Sequence, residues 1–143
     1  MIKKYKIIII FLFTISLISN VLSENNFYLE AKKNYEEKKY DVSKFLFQRN
    51  IVFNPKDENS YLYLSKIYNF EENEREKEKN INAVLLINPK NEEAIYLLTL
   101  LSIKKSNFSK AKQLISTLAS VCKEFCSSKK ELMKKLDSAQ KSK

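Results

Sequence analysis

Apolar residues in this chain come in blocks with helical spacing, and the blocks recur. LLINPKNEEA (Leu85–Ala94) ends one apolar run at Asn-Pro and begins another a few residues later. IVFNPKDENS (Ile51–Ser60) does the same 34 residues upstream, so Pro55 and Pro89 stand one period apart. One Asn-Pro marks a turn, and two at a fixed interval mark a repeat. Aligned on the prolines, units begin near Glu24, Glu58 and Glu92. The first helix of each unit opens on Phe27, Tyr61 or Ile95, with a small residue four positions on: Ala31, Ser65, Thr99. The second helices are expected to bury Phe47, Ile81 and Ile115 at one equivalent position, and Phe53, Ile87 and Val121 six residues later. Intervals of three and four, without alternation, predict helices and no strands. Asp57 and Asn91 follow the prolines as N-caps for the next helix.

The pattern breaks in two places. Tyr40 and Phe108 are each followed three residues on by a small side chain, Ser43 and Ala111, whereas the middle unit has Glu74 and Lys77 there. ENEREKEK (Glu72–Lys79) therefore reads as a solvated first turn, with Asn73 as N-cap and Glu76 three residues on, and its helix as the weak point. In the third unit Cys122-Lys123 replaces Asn-Pro. Beyond it, Ser128 and Glu131 form a capping-box pattern, and Leu132, Met133, Leu136 and Ala139 form one narrow apolar stripe. This predicts a terminal helix that shields the last pair's core and turns lysines outward. Those lysines read as a solvated face, or as a point of attachment to anionic lipid or an acidic partner.

EKKYDVSKFLFQRNIVFNPKD (Glu37–Asp57), SYLYLSKIY (Ser60–Tyr68) and SNFSKAKQLISTL (Ser106–Leu118) resemble helices of the tetratricopeptide repeat (TPR) family, and the 34-residue period matches. The family's tryptophan and glycine positions are filled by other residues. The resemblance implies an all-α fold: a right-handed α-solenoid of three antiparallel helix pairs with a C-terminal capping helix. Repeats would lie near 24–57, 58–91 and 92–125 within 24–127, with 128–143 as capping helix and basic tail. It also implies a concave, peptide-binding groove built from the first helix of each unit. The family's groove positions fall on Tyr28, Lys32 and Tyr35, then on Leu62, Lys66 and Asn69, then on Tyr96, Leu100 and Ile103. Such a wall, aromatic and aliphatic with two lysines a repeat apart, suits an extended peptide or a partner helix with apolar anchors and a carboxylate. It does not reproduce the family's carboxylate clamp, since Tyr28 and Lys32 stand where Lys and Asn would.

Composition narrows the chemistry. The 143 residues include no glycine and no histidine, so glycine loops that cradle phosphates and His-based catalytic pairs are ruled out. No metal site, cofactor, small-molecule substrate or catalysis is expected. The net charge of +9 sits largely at the ends: three lysines and no acids in the first 23 residues, and seven lysines against three acids from Cys122 onward. The body between is nearly balanced, without a basic face that would point to nucleic acid.

MIKKYK followed by an apolar run from Ile7 to Leu22 has the order of a Sec-type signal segment. As a helix the 16-residue run would be about 24 Å long, short for a hydrocarbon core of about 30 Å. Residues 1–23 are read as a signal peptide cleaved after Ser23, with an uncleaved N-terminal membrane anchor as the alternative. Either places the rest outside the cytoplasm, periplasmic or secreted. There Cys122 and Cys126 can form a disulfide that pins the terminal helix where the proline is missing, or remain two buried thiols.

Overall fold

The computed structural model describes residues 27–141, and among these it has seven helices and no strand. Helix α1 covers 27–36, α2 Tyr40–Phe53, α3 Glu58–Phe70, α4 Glu74–Ile87, α5 Glu92–Lys104, α6 Phe108–Val121 and α7 Ser128–Lys141. They fall into two compact units, one ending at Ser60 and the other beginning at Tyr61. The signal or anchor expected in residues 1–23 lies outside the described residues. None of the described helices is long and apolar enough to cross a membrane.

The turn inside each helix pair is the same device three times. Lys38, Glu72 and Ser106, each 34 residues from the next, adopt positive φ of 60°, 56° and 59°. The amides of Lys39, Asn73 and Asn107 then donate to the carbonyls of Asn34, Tyr68 and Ser102 at 2.8, 2.9 and 2.8 Å. The amides of Lys38, Glu72 and Ser106 donate to Tyr35, Asn69 and Ile103 at 3.0, 3.3 and 2.9 Å. These paired bonds form a Schellman motif, which satisfies carbonyls left over at a helix end and normally places glycine at the left-handed position. With no glycine available, ordinary residues hold it. Asn73 and Asn107 next cap α4 and α6, accepting the amides of Glu76 and Lys110, each at 3.2 Å.

Between pairs, the amides of Asn54 and Asn88 close the last helical turn onto Asn50 and Val84, both at 2.7 Å. Pro55 and Pro89 then start a tight turn, closed by the amides of Asp57 and Asn91 on the carbonyls of Asn54 and Asn88 at 3.1 Å. Proline suits this position because its fixed φ matches the turn and the helix has no further use for its amide. Asn91 caps α5 through the amide of Ala94 at 2.9 Å.

In the first unit Phe47 is fully buried and meets the Tyr28 ring edge-on, centroids 5.9 Å apart. Ala31 and Ser43 are also fully buried, and the Ser43 hydroxyl donates to the Ala31 carbonyl at 2.9 Å, which is possible because both side chains are small. Asn50 is buried at a column that carries Val84 and Leu118 elsewhere. Its amide donates to the Asp57 carboxylate (2.8 Å) and the Ser60 hydroxyl (2.9 Å), and Ser60 donates to Asp57 at 2.6 Å. Phe53, expected in the core, is 55% exposed instead, stacked on Phe27 at 5.7 Å in the last turn of α2.

The second unit has two apolar clusters. Leu62, Ile81, Val84, Ala94 and Leu98 join α3, α4 and α5. Ile95, Ile103, Ala111, Ile115, Leu118, Leu132 and Leu136 join α5, α6 and α7. Each large aliphatic side chain so enclosed contributes about 1.5–3 kcal/mol. Leu132 and Leu136 of α7 are fully buried, whereas Met133 is 41% exposed, so the terminal stripe is narrower than its sequence suggests. The missing third Asn-Pro has a substitute. The two carboxylate oxygens of Glu92 accept the amides of Lys123, Glu124 and Phe125 at 2.8, 3.0 and 2.9 Å. Cys122 and Cys126 bracket those three residues at bonding distance, Cα atoms 5.2 Å apart.

The first turn of α4 is not simply solvated. Glu74 pairs with Lys104, and Glu78 with Lys105 and Lys110. The predicted weak helix is thus tied by ion pairs to the end of α5 and the start of α6.

Candidate functional site

On α1, Tyr28, Lys32 and Tyr35 are spaced i, i+4, i+7, so they share one face, and all three are half-buried. Lys32 pairs with Glu36 at 3.9 Å, and the Tyr35 ring lies 5.6 Å from Tyr40. Along this helix Leu29 is 64% exposed.

In the second unit the six groove candidates divide. Leu62 and Ile103 are buried in the two cores, 7% and 9% exposed, and present no wall to a ligand. Both fall at the edge of a helix face where the neighbouring helix closes over them, which an alignment of repeats does not reveal. Lys66 is half-buried and paired with Glu93 of α5 at 2.7 Å, its ammonium 5.1 Å from the Tyr63 ring centre. Tyr96 is covered on one side by the cap: its hydroxyl donates to Glu131 at 3.3 Å and its ring lies 5.6 Å from Phe125. Burial and the nearby Glu131 carboxylate raise its pKa above the usual phenol value. Asn69 is exposed and Leu100 half-buried, and these two border the same cavity.

That cavity, about 360 Å³, lies where the ends of α3 and α5 meet the start of α4, and is lined by Tyr68, Asn69, Glu72, Glu74, Lys77, Leu100, Leu101 and Lys104. The Lys77 ammonium donates to the Asn69 side-chain oxygen at 2.8 Å. Burial, and secondarily the positive charge of Lys104, hold its pKa below the ordinary lysine value, with Glu74 acting the other way. A hydrogen bond from Lys104 lowers the pKa of Glu74 and raises that of Lys104. The sequence pattern marked Lys77 and Glu74 as misfits but gave no sign that they line a cavity with two groove candidates. Glu93, which neutralises Lys66, was not anticipated at all.

No protein-family model matches the chain, and no curated protein sequence does. Solved structures do. The Yersinia enterocolitica type III secretion chaperone SycD, in complex with a peptide of the translocator YopD, superposes with a TM-score of 0.71 at 13% identity, over 82% of this chain and 92% of that one. The fold is that of the tetratricopeptide repeat. The first TPR of Spaghetti (RPAP3), bound to an HSP90 peptide, gives 0.68 at 12% identity over 83% and 91%. The TPR2B domain of yeast Sti1, in its Hsp70 complex, gives 0.69 at 15% over 85% and 99%. At such low identity a TPR likeness speaks for the fold. The buried Ala31, Ser65 and Thr99 and the three left-handed turns are the positions through which this sequence achieves it.

Proposed function

We propose that this protein is an adaptor that binds another polypeptide along the first helices of its TPR-like repeats and performs no chemistry of its own. The observation that carries this reading is the fold itself, since three dissimilar chains that share it are described with a peptide or an Hsp70 partner bound. The half-buried Tyr28, Lys32 and Tyr35 in one unit, and Lys66, Tyr96 and Leu100 in the other, supply aromatic and aliphatic surface with cationic points. Extended peptides and single amphipathic helices are recognised by surfaces of this kind. Both lysines already hold a glutamate, so a partner's carboxylate would exchange for Glu36 or Glu93 and contribute direction more than affinity.

The test is capture from an envelope fraction by the purified chain and by the double variant Lys32→Glu, Lys66→Glu. Loss of the captured protein with an unchanged circular dichroism spectrum supports the reading. Equal capture removes the two lysines from the site. We further propose that the protein acts outside the cytoplasm, from the order of basic and apolar residues in MIKKYK and Ile7–Leu22. A mature N-terminus near Glu24 is the expected result. An N-terminus at Met1 in the membrane fraction would instead favour a membrane-held assembly component.

A further inference from the structure

Helix α7 closes the second unit with Leu132 and Leu136, both fully buried, and its opposite face is strongly basic. Lys130, Lys134 and Lys141 stand at i, i+4 and i+11, so they line up on the side away from those leucines, with Lys129 at its margin. All four are exposed. Lys135 pairs with Glu131 at 3.4 Å, whereas among the described residues these four lysines reach no carboxylate. Asp137 shares their face and offsets one of them. A cap needs only a polar outer surface, and balanced charge would serve, as where α4 sets Glu74 and Glu78 against lysines of α5. The charges of α7 are instead placed against its own stability. Lys129 and Lys130 lie in its first turn, where the macrodipole favours acids and opposes cations. Lys130 and Lys134 are like charges four residues apart, which destabilise a helix. Met133 lies between the lysines and the core, 41% exposed, an apolar side chain that the core leaves out.

We propose that this face of α7 lies on the surface of an anionic bilayer, its four ammonium groups among the lipid phosphates and Met133 at the headgroup boundary. The chemistry of the face favours a bilayer over an acidic protein. Protein interfaces centre on aromatic or arginine anchors and are depleted of lysine, and α7 carries neither an aromatic residue nor an arginine. Lysine is a mobile point charge, which suits a diffuse field of anions better than one shaped partner. The apolar stripe of α7 is already buried in the core, so the contact is peripheral and mainly electrostatic. The proposal is independent of the adaptor reading, because it uses no groove residue. Each lysine near an anionic surface strengthens binding about fivefold, so four of them with Asp137 against them should give roughly a hundredfold.

The experiment is co-sedimentation of the full chain with vesicles of phosphatidylcholine alone, or of phosphatidylcholine and phosphatidylglycerol in equal parts. The comparison is with a variant carrying Gln in place of Lys129, Lys130, Lys134 and Lys141. The expected result is about a hundredfold weaker binding of the variant to the anionic vesicles, and unchanged binding to the neutral ones. Any contribution of Ile7–Leu22 is common to both chains and cancels. Arginine at the same four positions should keep the binding. The difference should vanish in molar salt, where the Debye length falls to about 3 Å. Because Gln also relieves the like-charge and macrodipole penalties, the variant should unfold at the same urea concentration or a higher one. Equal binding of the two chains to anionic vesicles would overturn the proposal, and so would a difference that persists in molar salt. Release of the chain from the vesicles by soluble polyglutamate, at fewer carboxylates than lipid phosphates, would make an acidic polypeptide the better occupant and also overturn it.

Discussion

Replacing Lys38, Glu72 and Ser106 with glycine, singly and together, tests the repeated turn most directly. Each of these residues holds φ near +60° without the freedom of glycine. A left-handed conformation costs an L-residue roughly 1–2 kcal/mol through the approach of Cβ to the following carbonyl oxygen. Glycine removes that cost but loses about 0.5–1 kcal/mol more backbone entropy on folding. The balance is a gain of about 0.5–1 kcal/mol per site. The sites are a full repeat apart and share no partner, so the three gains should add to roughly 2 kcal/mol in the triple variant. For a domain near 100 residues that raises Tm by about 8–16 °C. Urea unfolding followed by circular dichroism measures it, as a higher midpoint at unchanged slope. Alanine at the same positions keeps Cβ and should leave the midpoint nearly where it was. If glycine gained nothing over alanine at all three positions, the turns would not be held left-handed and the reasoning would fail.

Asn50→Ala leaves the Asp57 carboxylate and Ser60 hydroxyl without their shared donor and should cost about 1–3 kcal/mol in urea unfolding, where Asn54→Ala in the following turn should cost less. Glu92 has a folded pKa lowered from 4.5, first by the amide of Phe125 and then by those of Lys123 and Glu124. Its stabilisation of the α6–α7 link is therefore fully present above the unfolded value and lost as pH falls through the folded one. Amide exchange at residues 123–125 should accelerate over that acidic window, and Glu92→Gln should remove the pH dependence. Intact mass should rise by two daltons on reduction of Cys122 and Cys126. Closing so short a loop adds about 2 kcal/mol on the chain-entropy model, so reductant should lower the unfolding midpoint of the second unit while Cys122→Ser, Cys126→Ser should no longer respond.

The period was legible because it is written in residues whose physics is local. Proline at 55 and 89 ends a helix wherever it falls, and Asn73 and Asn91 cap with their own side chains. The small residues that recur at Ala31, Ser65 and Thr99 form a fully buried column. What could not be read is what depends on a neighbour. Leu62 and Ile103 align with groove positions, yet adjacent helices close over them. Glu74 and Glu78 look like solvated charge in sequence because their lysines lie 27–32 residues away. The Glu92 clamp joins residues more than 30 positions apart and uses backbone donors, which leave no trace in side-chain pattern. The left-handed turns escaped for another reason: their usual sign is glycine, and this chain has none.

Each departure from the repeat pattern is met by a polar partner, but the partners differ in what they leave over. The Asn50 group is closed: donor, carboxylate and hydroxyl satisfy one another. The Glu92 clamp is closed as well, three amides on two oxygens. Lys77 is the departure left open, with a partly desolvated ammonium held by a neutral oxygen. A residue selected for stability at that column would be small or apolar, as Ser43 and Ala111 are. Lys77→Met keeps the methylene stem packed and removes the cost of burying the charge, so the variant should unfold at the same urea concentration or a higher one. A Lys77→Met chain that is clearly less stable would show the ammonium to be part of the scaffold, held there by the Asn69 oxygen.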